Sequence, residues 1–216
     1  MIDLVREIGA IQRTTGDRDT PAGNGKAVVL EREYDASIEE VWDALTTPER
    51  ISRWFLPISG DYRVGGRYQL EGNAGGEIVA CERPSRFKVT WFYGEPATPA
   101  DVSEVEIRLS AVTGERTRLE LEHVADVPAE QWPQFGPGAV GVGWDGVVMG
   151  LGLHLAGGSI ADPHAWMVSD EGRDFYRRSS AAWGEAYRAA GASDEAVALA
   201  VANTTQFYAP EPEAVS

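Results

Sequence analysis

The 216-residue sequence contains a single cysteine, Cys81, and only three histidines. One thiol cannot form an intrachain disulfide, and it cannot build a metal site that needs several cysteines. The histidines and the cysteine also lack the short spacings of zinc-binding motifs, so we predict neither a metal nor another cofactor. Cys81 falls within a predicted strand, where a buried structural thiol is expected rather than a nucleophile.

Basic residues are scarce as well, because 19 lysines and arginines stand against 34 acidic residues and give a formal net charge of -15. Such a charge repels phosphate groups, so neither nucleic acid nor an anionic membrane surface is an expected partner. The N-terminal stretch MIDLVREIGAIQRTTGDRD has no long apolar core of the kind found in secretory signals, and a cytoplasmic location is therefore expected.

Long apolar stretches are rare, and the one that stands out is the glycine-rich segment 138–158. Its 21 residues include Asp145 and His154 as polar side chains. At about 1.5 Å per residue the segment could cross roughly 30 Å of hydrocarbon. However, Asp145 would then lie inside the bilayer and no Lys or Arg flanks either end, so we predict a buried core helix and no membrane span. Gly143, Gly146 and Gly150 indicate close backbone approach or free space beside this helix.

The segment SIEEVWDALTTPERISRWF, residues 37–55, predicts two short helices. Ser37 and Glu40 form a capping-box pattern, and Pro48 suits the first turn of the second helix. A strand at 27–34 is predicted before the helices. Further strands are predicted after them at 67–71, 77–82, 87–93, 102–112 and 117–124, and alternating apolar residues favour an antiparallel sheet.

Both ends of the chain are predicted to be additions to this central unit. Residues 1–25 should hold a helix at 3–13 and a polar leader that ends in PAGNG. Residues 159–216 carry two amphipathic helices, whose apolar stripes must be covered by the core domain or by a second subunit. We therefore predict a central domain at 26–158 between an N-terminal helix with its leader at 1–25 and a C-terminal helical extension at 159–216.

Four segments of the sequence resemble the SRPBCC superfamily, whose helix-grip fold is shared by START and Bet v 1-like domains. These segments are EREYDASIEEVWDALTTPERISRWFLP, CERPSRFKVTW, RLELEH and GVGWDGVVMGLGLHL. They look most like the branch named after the C-terminal domain of heat-shock-protein-90 ATPase activators, while GNAGGEI and FYRRSSAAWGEAYRAAG resemble an actinobacterial subgroup. The resemblance implies an α+β fold in which a curved antiparallel sheet wraps around a long C-terminal helix, with two short helices and the helical extension added.

The helix-grip fold also implies a cavity between the concave sheet face and the final helix, with a small hydrophobic molecule as the partner. We expect inward-facing residues to line it: Trp54, Phe55, Tyr68, Leu70, Val79, Cys81, Val89, Trp91, Ile107, Leu121, His123, Trp144, Val148 and Leu151. The alternative is that these side chains simply fill a core, as apolar periodic positions commonly do. Trp54 and Phe55 end the second short helix and are predicted to gate the cavity.

Three functions follow from these patterns. The first is a carrier or sequestering protein for a hydrophobic or aromatic molecule. The second is an enzyme resembling polyketide cyclases or hydrolases, with His123 and Tyr68 as acid–base groups; against it, a buried histidine is commonly satisfied by a structural hydrogen bond. The third is an interaction protein, either a homodimer formed through the C-terminal helices or a chaperone activator. The eukaryotic activators use an additional N-terminal domain, for which the segment before the first strand is too short.

Overall fold

The computed structural model describes residues 2–20, 23–94, 98, 102–128 and 130–210. Pro21 and Ala22 of the expected leader and residues 211–216 of the extension lie outside this range. The helices are α1 (Leu4–Gly9), α2 (Ile38–Thr46), α3 (Pro48–Trp54), α4 (Trp132–Phe135), α5 (Gly138–Leu155), α6 (Pro163–Val168), α7 (Asp170–Ala189) and α8 (Asp194–Tyr208). The strands are β1 (Ile11–Thr20), β2 (Gly23–Tyr34), β3 (Ile58–Gly60), β4 (Arg67–Leu70), β5 (Gly75–Glu82), β6 (Arg86–Trp91), β7 (Ser103–Thr113) and β8 (Arg116–Asp126).

All eight strands form one curved antiparallel sheet that does not close, in the order β1-β2-β8-β7-β6-β5-β4-β3. The helix α5 lies across its inner face, where the Tyr34 hydroxyl of β2 donates to the Val148 carbonyl of α5 at 2.9 Å. Leu30 and Leu121 on the sheet and Val148 on the helix are almost fully buried in the same core. The predicted helix-grip fold is therefore confirmed.

The two short helices form where the sequence predicts them. The Ser37 hydroxyl accepts from the Glu40 amide at 3.2 Å and so caps α2. Only half of the capping box forms, because the Glu40 carboxylate pairs with Arg50 at 2.6 Å and does not return to the Ser37 amide. Pro48 begins α3, and the Trp54 indole at its end donates to the Ala44 carbonyl of α2 at 3.0 Å. This bond fixes the angle between the two helices beside the sheet.

The N-terminal segment does not form the predicted long helix and polar leader, so this prediction is wrong. The helix α1 ends at Gly9, and residues 11–20 form β1. This strand pairs with β2 from Ile11 opposite Arg32 to Thr20 opposite Gly23, so β2 also begins earlier than expected. The backbone groups of β2 explain the difference: β1 supplies hydrogen-bond partners along a strand that would otherwise lie at the sheet edge. The short strand β3 was not predicted.

The C-terminal helix α7 packs on α5 and β1, whereas α8 packs mainly on α7 and α4 and leaves Phe207 exposed. Phe175 and Trp183 of α7 are fully buried. The contact with α5 requires a glycine, because a Cβ atom at Gly141 would lie 2.2 Å from the Trp183 ring. By length and composition α5 could also cross a membrane. In this fold, however, eight of its residues are buried, including Trp144, Asp145 and Leu151, as expected for a core helix.

Candidate ligand chamber

The inner face of the sheet and the helices α2, α3 and α5 enclose a cavity of about 320 Å³, here called the main chamber. This volume falls in the range of small-molecule sites. The walls are mostly aliphatic and aromatic, and Arg63 is the one charged side chain among the described residues that line it. Arg63 is largely exposed and bonded to Asp61 at 2.7 Å, so its charge stays in solvent at the mouth.

Most of the predicted residues do meet in this chamber. Period-2 alternation explains why, since Ile107 lies opposite Leu121 and both side chains project from the same face. Predicted residues that line the main chamber are Trp54, Phe55, Tyr68, Leu70, Cys81, Val89, Trp91, Ile107, Leu121, Trp144, Val148 and Leu151. Their role in ligand binding stays a prediction.

Val79 does not face the main chamber, and this expectation is wrong. Its side chain is 41% exposed. The pairing of β5 with β6 shifts between Ile78, opposite Val89, and Ala80, opposite Lys88, so Val79 is the unpaired residue of a bulge. A bulge changes which residues face inward, because side chains alternate along a strand. Ile78 therefore lines the chamber in place of Val79.

The same shift places Cys81 opposite Phe87 and turns it toward the chamber. Cys81 lies at the rim, where it is exposed. The expectation of a buried structural thiol is therefore wrong. Cys81 lies one residue before the end of β5, where its neighbour Glu82 is exposed as well.

Two polar side-chain groups in the chamber wall, the Tyr68 hydroxyl and the Trp54 indole, are held by backbone carbonyls. The Tyr68 hydroxyl donates to the Thr90 carbonyl at 2.8 Å, and burial raises the pKa of Tyr68. The Trp54 indole is held by Ala44, as described above. Because these donors are satisfied within the protein, the walls offer a ligand apolar contact more than hydrogen bonds.

The predicted gate residues lie at one end of the main chamber. The rings of Trp54 and Phe55 are stacked with centroids 5.7 Å apart. The turn between β3 and β4 contributes Tyr62 and Val64 to the same lining, and both are about half exposed. The chamber therefore reaches the surface beside this turn. A gating role for Trp54 and Phe55 stays a prediction.

His123 lies outside the main chamber, contrary to expectation. Its Nδ1 accepts from the Trp144 indole at 2.9 Å, which requires the proton to be on Nε2. His123 Nε2 then donates to the Ser103 hydroxyl at 2.8 Å, and that hydroxyl donates to the Trp91 carbonyl at 2.7 Å. Burial lowers the pKa of His123 to about 4. The histidine is therefore neutral near pH 7, and both of its nitrogens are engaged in this chain.

A second cavity of about 390 Å³, here called the second chamber, adjoins His123. Trp91 lines both chambers, whereas Trp144 lines the main chamber and His123 the second. The Trp91 and Trp144 ring centroids are 5.0 Å apart, and those of Trp144 and His123 are 5.7 Å apart. We call these three residues the aromatic partition, because they separate the two chambers.

Residues 35–155 match the Activator of Hsp90 ATPase homolog 1-like protein family. This match spans more than half of the chain. The chain belongs to this family. No curated protein is significantly similar to it.

Solved structures support the family assignment. The crystal structure of CalU16 from Micromonospora echinospora is 38% identical, covers 85% of this chain and 99% of its own, and has a TM-score of 0.65. The solution structure of CalU16 gives 34% identity, coverage of 84% and 97%, and a TM-score of 0.66. The structure of MLL2253 from Mesorhizobium loti, 24% identical with coverage of 61% and 96% and a TM-score of 0.51, shows a similar fold alone.

The main chamber lies wholly within the family match, whereas the second chamber also uses Lys26 and Val28 from before it. Sequence reasoning missed several residues of the main chamber: Leu45, Thr46, Ile51, Ile58, Tyr62, Arg63, Val64, Ile78, Phe87, Val105, Leu119 and Val147. Alternation could have added Phe87, Val105 and Leu119, and the helical stripe could have added Val147. The turn that carries Tyr62, Arg63 and Val64 has no periodic signal.

Proposed function

We propose that this protein binds one small hydrophobic or aromatic molecule in the main chamber and acts as a carrier or a sequestering protein. The observation that supports this most is a cavity of about 320 Å³ within a folded core, walled by apolar side chains and open to solvent beside an aromatic pair. Members of this superfamily bind small hydrophobic ligands. Burying an apolar ligand there would release water from apolar surface on both partners.

The geometry favours binding over catalysis. Acid–base catalysis needs a titratable group within hydrogen-bond reach of the ligand. His123 lies outside the main chamber with both nitrogens engaged, and the Tyr68 hydroxyl is held by a carbonyl. Among the described lining residues, no hydroxyl or thiol is bonded to a histidine or a carboxylate. The cyclase-like alternative therefore lacks a free acid–base group in the main chamber, while His123 lines the second chamber instead.

A blocking variant tests the proposal. Val147 lines the main chamber and is half buried, so Val147→Phe should place a ring in the space for the ligand. The probe is N-phenyl-1-naphthylamine, a neutral aromatic amine whose fluorescence rises in apolar surroundings. We expect saturable binding to the unaltered protein and at least roughly tenfold weaker binding to Val147→Phe, because steric overlap of even 1.4 kcal/mol has that effect.

The matched control is Val112→Phe, the same change at a strand position that is 43% exposed and lies outside both chambers. It should bind the probe as the unaltered protein does. Equal dissociation constants for the two variants would contradict binding in the main chamber. In a separate experiment, native mass spectrometry of protein purified without added ligand would identify any molecule that co-purifies with it.

Homodimerisation, a cytoplasmic location and chaperone activation stay predictions. The first is tested by light scattering of the full chain. Exposed apolar side chains on α8, Leu199 and Phe207, are the residues to replace if a dimer is found.

A further inference from the structure

The second chamber differs from the main chamber in its chemistry. Aromatic side chains form much of its wall: Trp91, Phe92, Tyr93, Trp132 and Phe135. Polar side chains also line it, and they include Lys26, Ser103 and Asp126. The chamber therefore combines flat aromatic surfaces with hydrogen-bonding groups, as sites for polar aromatic molecules do.

Two of the polar groups keep unused hydrogen-bonding capacity. Ser103 donates to the Trp91 carbonyl and accepts from His123, so one lone pair of its oxygen is left. The Asp126 carboxylate accepts from the Thr20 hydroxyl at 2.6 Å, and a carboxylate has about four acceptor sites. Both groups can accept a hydrogen bond from a ligand hydroxyl. The lining of the second chamber therefore suits a ligand that carries hydrogen-bond donors.

Charge argues further for a neutral ligand. Lys26 and Asp126 bring opposite charges to the lining. Lys26 is also engaged, since its ammonium pairs with Asp17 and lies 5.2 Å from the centre of the Trp132 ring. An anionic ligand would meet the field of a chain with a net charge of -15.

The C-terminal extension contacts one wall of this chamber from the outside, although none of its described residues is part of the lining. The helix α4, which carries Trp132 and Phe135, has only four residues and is too short to be stable alone. From α8, Asn203 Nδ2 donates to the Gln134 carbonyl at 2.8 Å, and the Tyr208 hydroxyl donates to the Ala139 carbonyl at 2.8 Å. The Trp132 ring packs edge-on against Tyr187 of α7, 5.9 Å between centroids.

We propose that the second chamber is a separate binding site for a neutral, planar aromatic molecule with hydroxyl groups, and that the C-terminal helices serve to hold its wall in place. The aromatic partition keeps this site apart from the main chamber. The two sites can therefore be occupied independently.

Fluorine NMR of full-length protein labelled with 5-fluorotryptophan tests this proposal. Trp132 lines only the second chamber and Trp54 only the main chamber, so their resonances report on the two sites separately. Each resonance is assigned with a Trp→Phe variant, and the probe is 2,7-dihydroxynaphthalene. We expect a saturable shift of the Trp132 resonance. An unchanged Trp132 resonance overturns the proposal, whatever the Trp54 resonance shows, and failure of the main-chamber proposal would appear at Trp54.

Two sets of variants locate the binding. Ala125 lines the second chamber, so Ala125→Phe should abolish the Trp132 shift and leave the Trp54 response intact, whereas Val147→Phe should leave the Trp132 shift intact. A Trp132 shift that persists in Ala125→Phe would mean binding outside the chamber and would overturn the assignment. If Ala125→Phe does not fold, the titration of the unaltered protein decides alone.

The role of the extension is tested with Asn203→Ala combined with Tyr208→Phe, which removes both hydrogen bonds without touching the chamber lining. Loss of both hydrogen bonds should weaken the binding reported by Trp132 roughly tenfold or more. The Trp54 response should not change. Unaltered affinity at Trp132 would overturn the positioning role of α8.

Discussion

The helix α5 presents two faces that have different uses. One face carries Trp144, Val147 and Val148 and borders a cavity of about 320 Å³. The adjoining face carries Gly141 and Asp145 and is packed against α7 and β1 without such a space. Close packing is the normal state of a protein interior. The chamber face therefore makes fewer packing contacts than the other face. We infer that the packed face contributes more of the unfolding free energy.

The packed face is built around a buried ion pair. Arg13 Nη2 of β1 lies 3.0 Å from Asp145 Oδ2, with 6% and 0% of the two side chains exposed. The Arg13 guanidinium also donates to the Ile11 carbonyl at 2.8 Å, and the Ser179 hydroxyl of α7 donates to Asp145. Burial raises the pKa of Asp145 to about 6, against the opposing effect of Arg13. This cluster joins the N-terminal strand, the core helix and the C-terminal extension.

The largest effect is expected from breaking this pair. Asp145→Ala leaves the Arg13 charge buried without its partner, so unfolding free energy should fall by about 3–5 kcal/mol, as is typical of broken buried pairs. Urea denaturation followed by tryptophan fluorescence measures the change. Arg13→Met combined with Asp145→Leu removes both charges and should recover much of the loss. A loss below about 1 kcal/mol for Asp145→Ala would contradict a stabilising role of this face.

The second prediction concerns how the unfolding free energy depends on pH through His123, which is bonded to Trp144 on the chamber face of α5. The pKa of His123 is about 4 in the folded protein against 6.5 ordinarily, so the unfolded chain binds the additional proton between these values. Stability should therefore fall as pH drops from 6.5 to 4, by about 3 kcal/mol for this group. Asp145 acts oppositely between 3.8 and about 6, because its pKa is raised on folding.

The His123 contribution is isolated by comparison with His123→Asn, which keeps an acceptor for the Trp144 indole but does not titrate. Unfolding free energies are measured for both proteins from pH 4 to pH 7. The difference between the two curves should change across this window. Parallel curves would show that His123 titrates normally and that the aromatic partition is open to water.

The sequence predicts the main chamber well where two regular patterns meet. Alternation placed Ile107 and Leu121 on the inner face, and the helical stripe placed Val148 and Leu151 above them. The prediction failed at Val79, since a bulge inserts one residue and no local pattern marks it. The helix-grip fold itself came from family resemblance, which alternation alone would not have supplied.

Side-chain pairings between residues far apart in the chain could not be predicted from the sequence. Arg13 looked like the last residue of a helix, because nothing nearby indicates that its partner is Asp145, 132 positions away. His123 was placed on the correct face of β8, but the tryptophan that engages it comes from α5. The helix α8 docks on the segment that carries Gln134 and Ala139, whereas a single amphipathic pattern shows only that a helix must be covered.

The smallest expected effect concerns the glycines of α5. It distinguishes a glycine required by close packing from a glycine that has free space beside it. A Cβ atom at Gly141 would lie 2.2 Å from the Trp183 ring, which is fully buried. Gly141→Ala should therefore lose about 1–3 kcal/mol of unfolding free energy through overpacking. Gly146 is the matched control, since its nearest neighbour would be Phe175 at 4.0 Å. Gly146→Ala should be neutral or gain up to about 1 kcal/mol from helix propensity. Equal urea midpoints for the two variants would mean that α7 moves aside to accept a methyl group at position 141, so the contact there would not be tight.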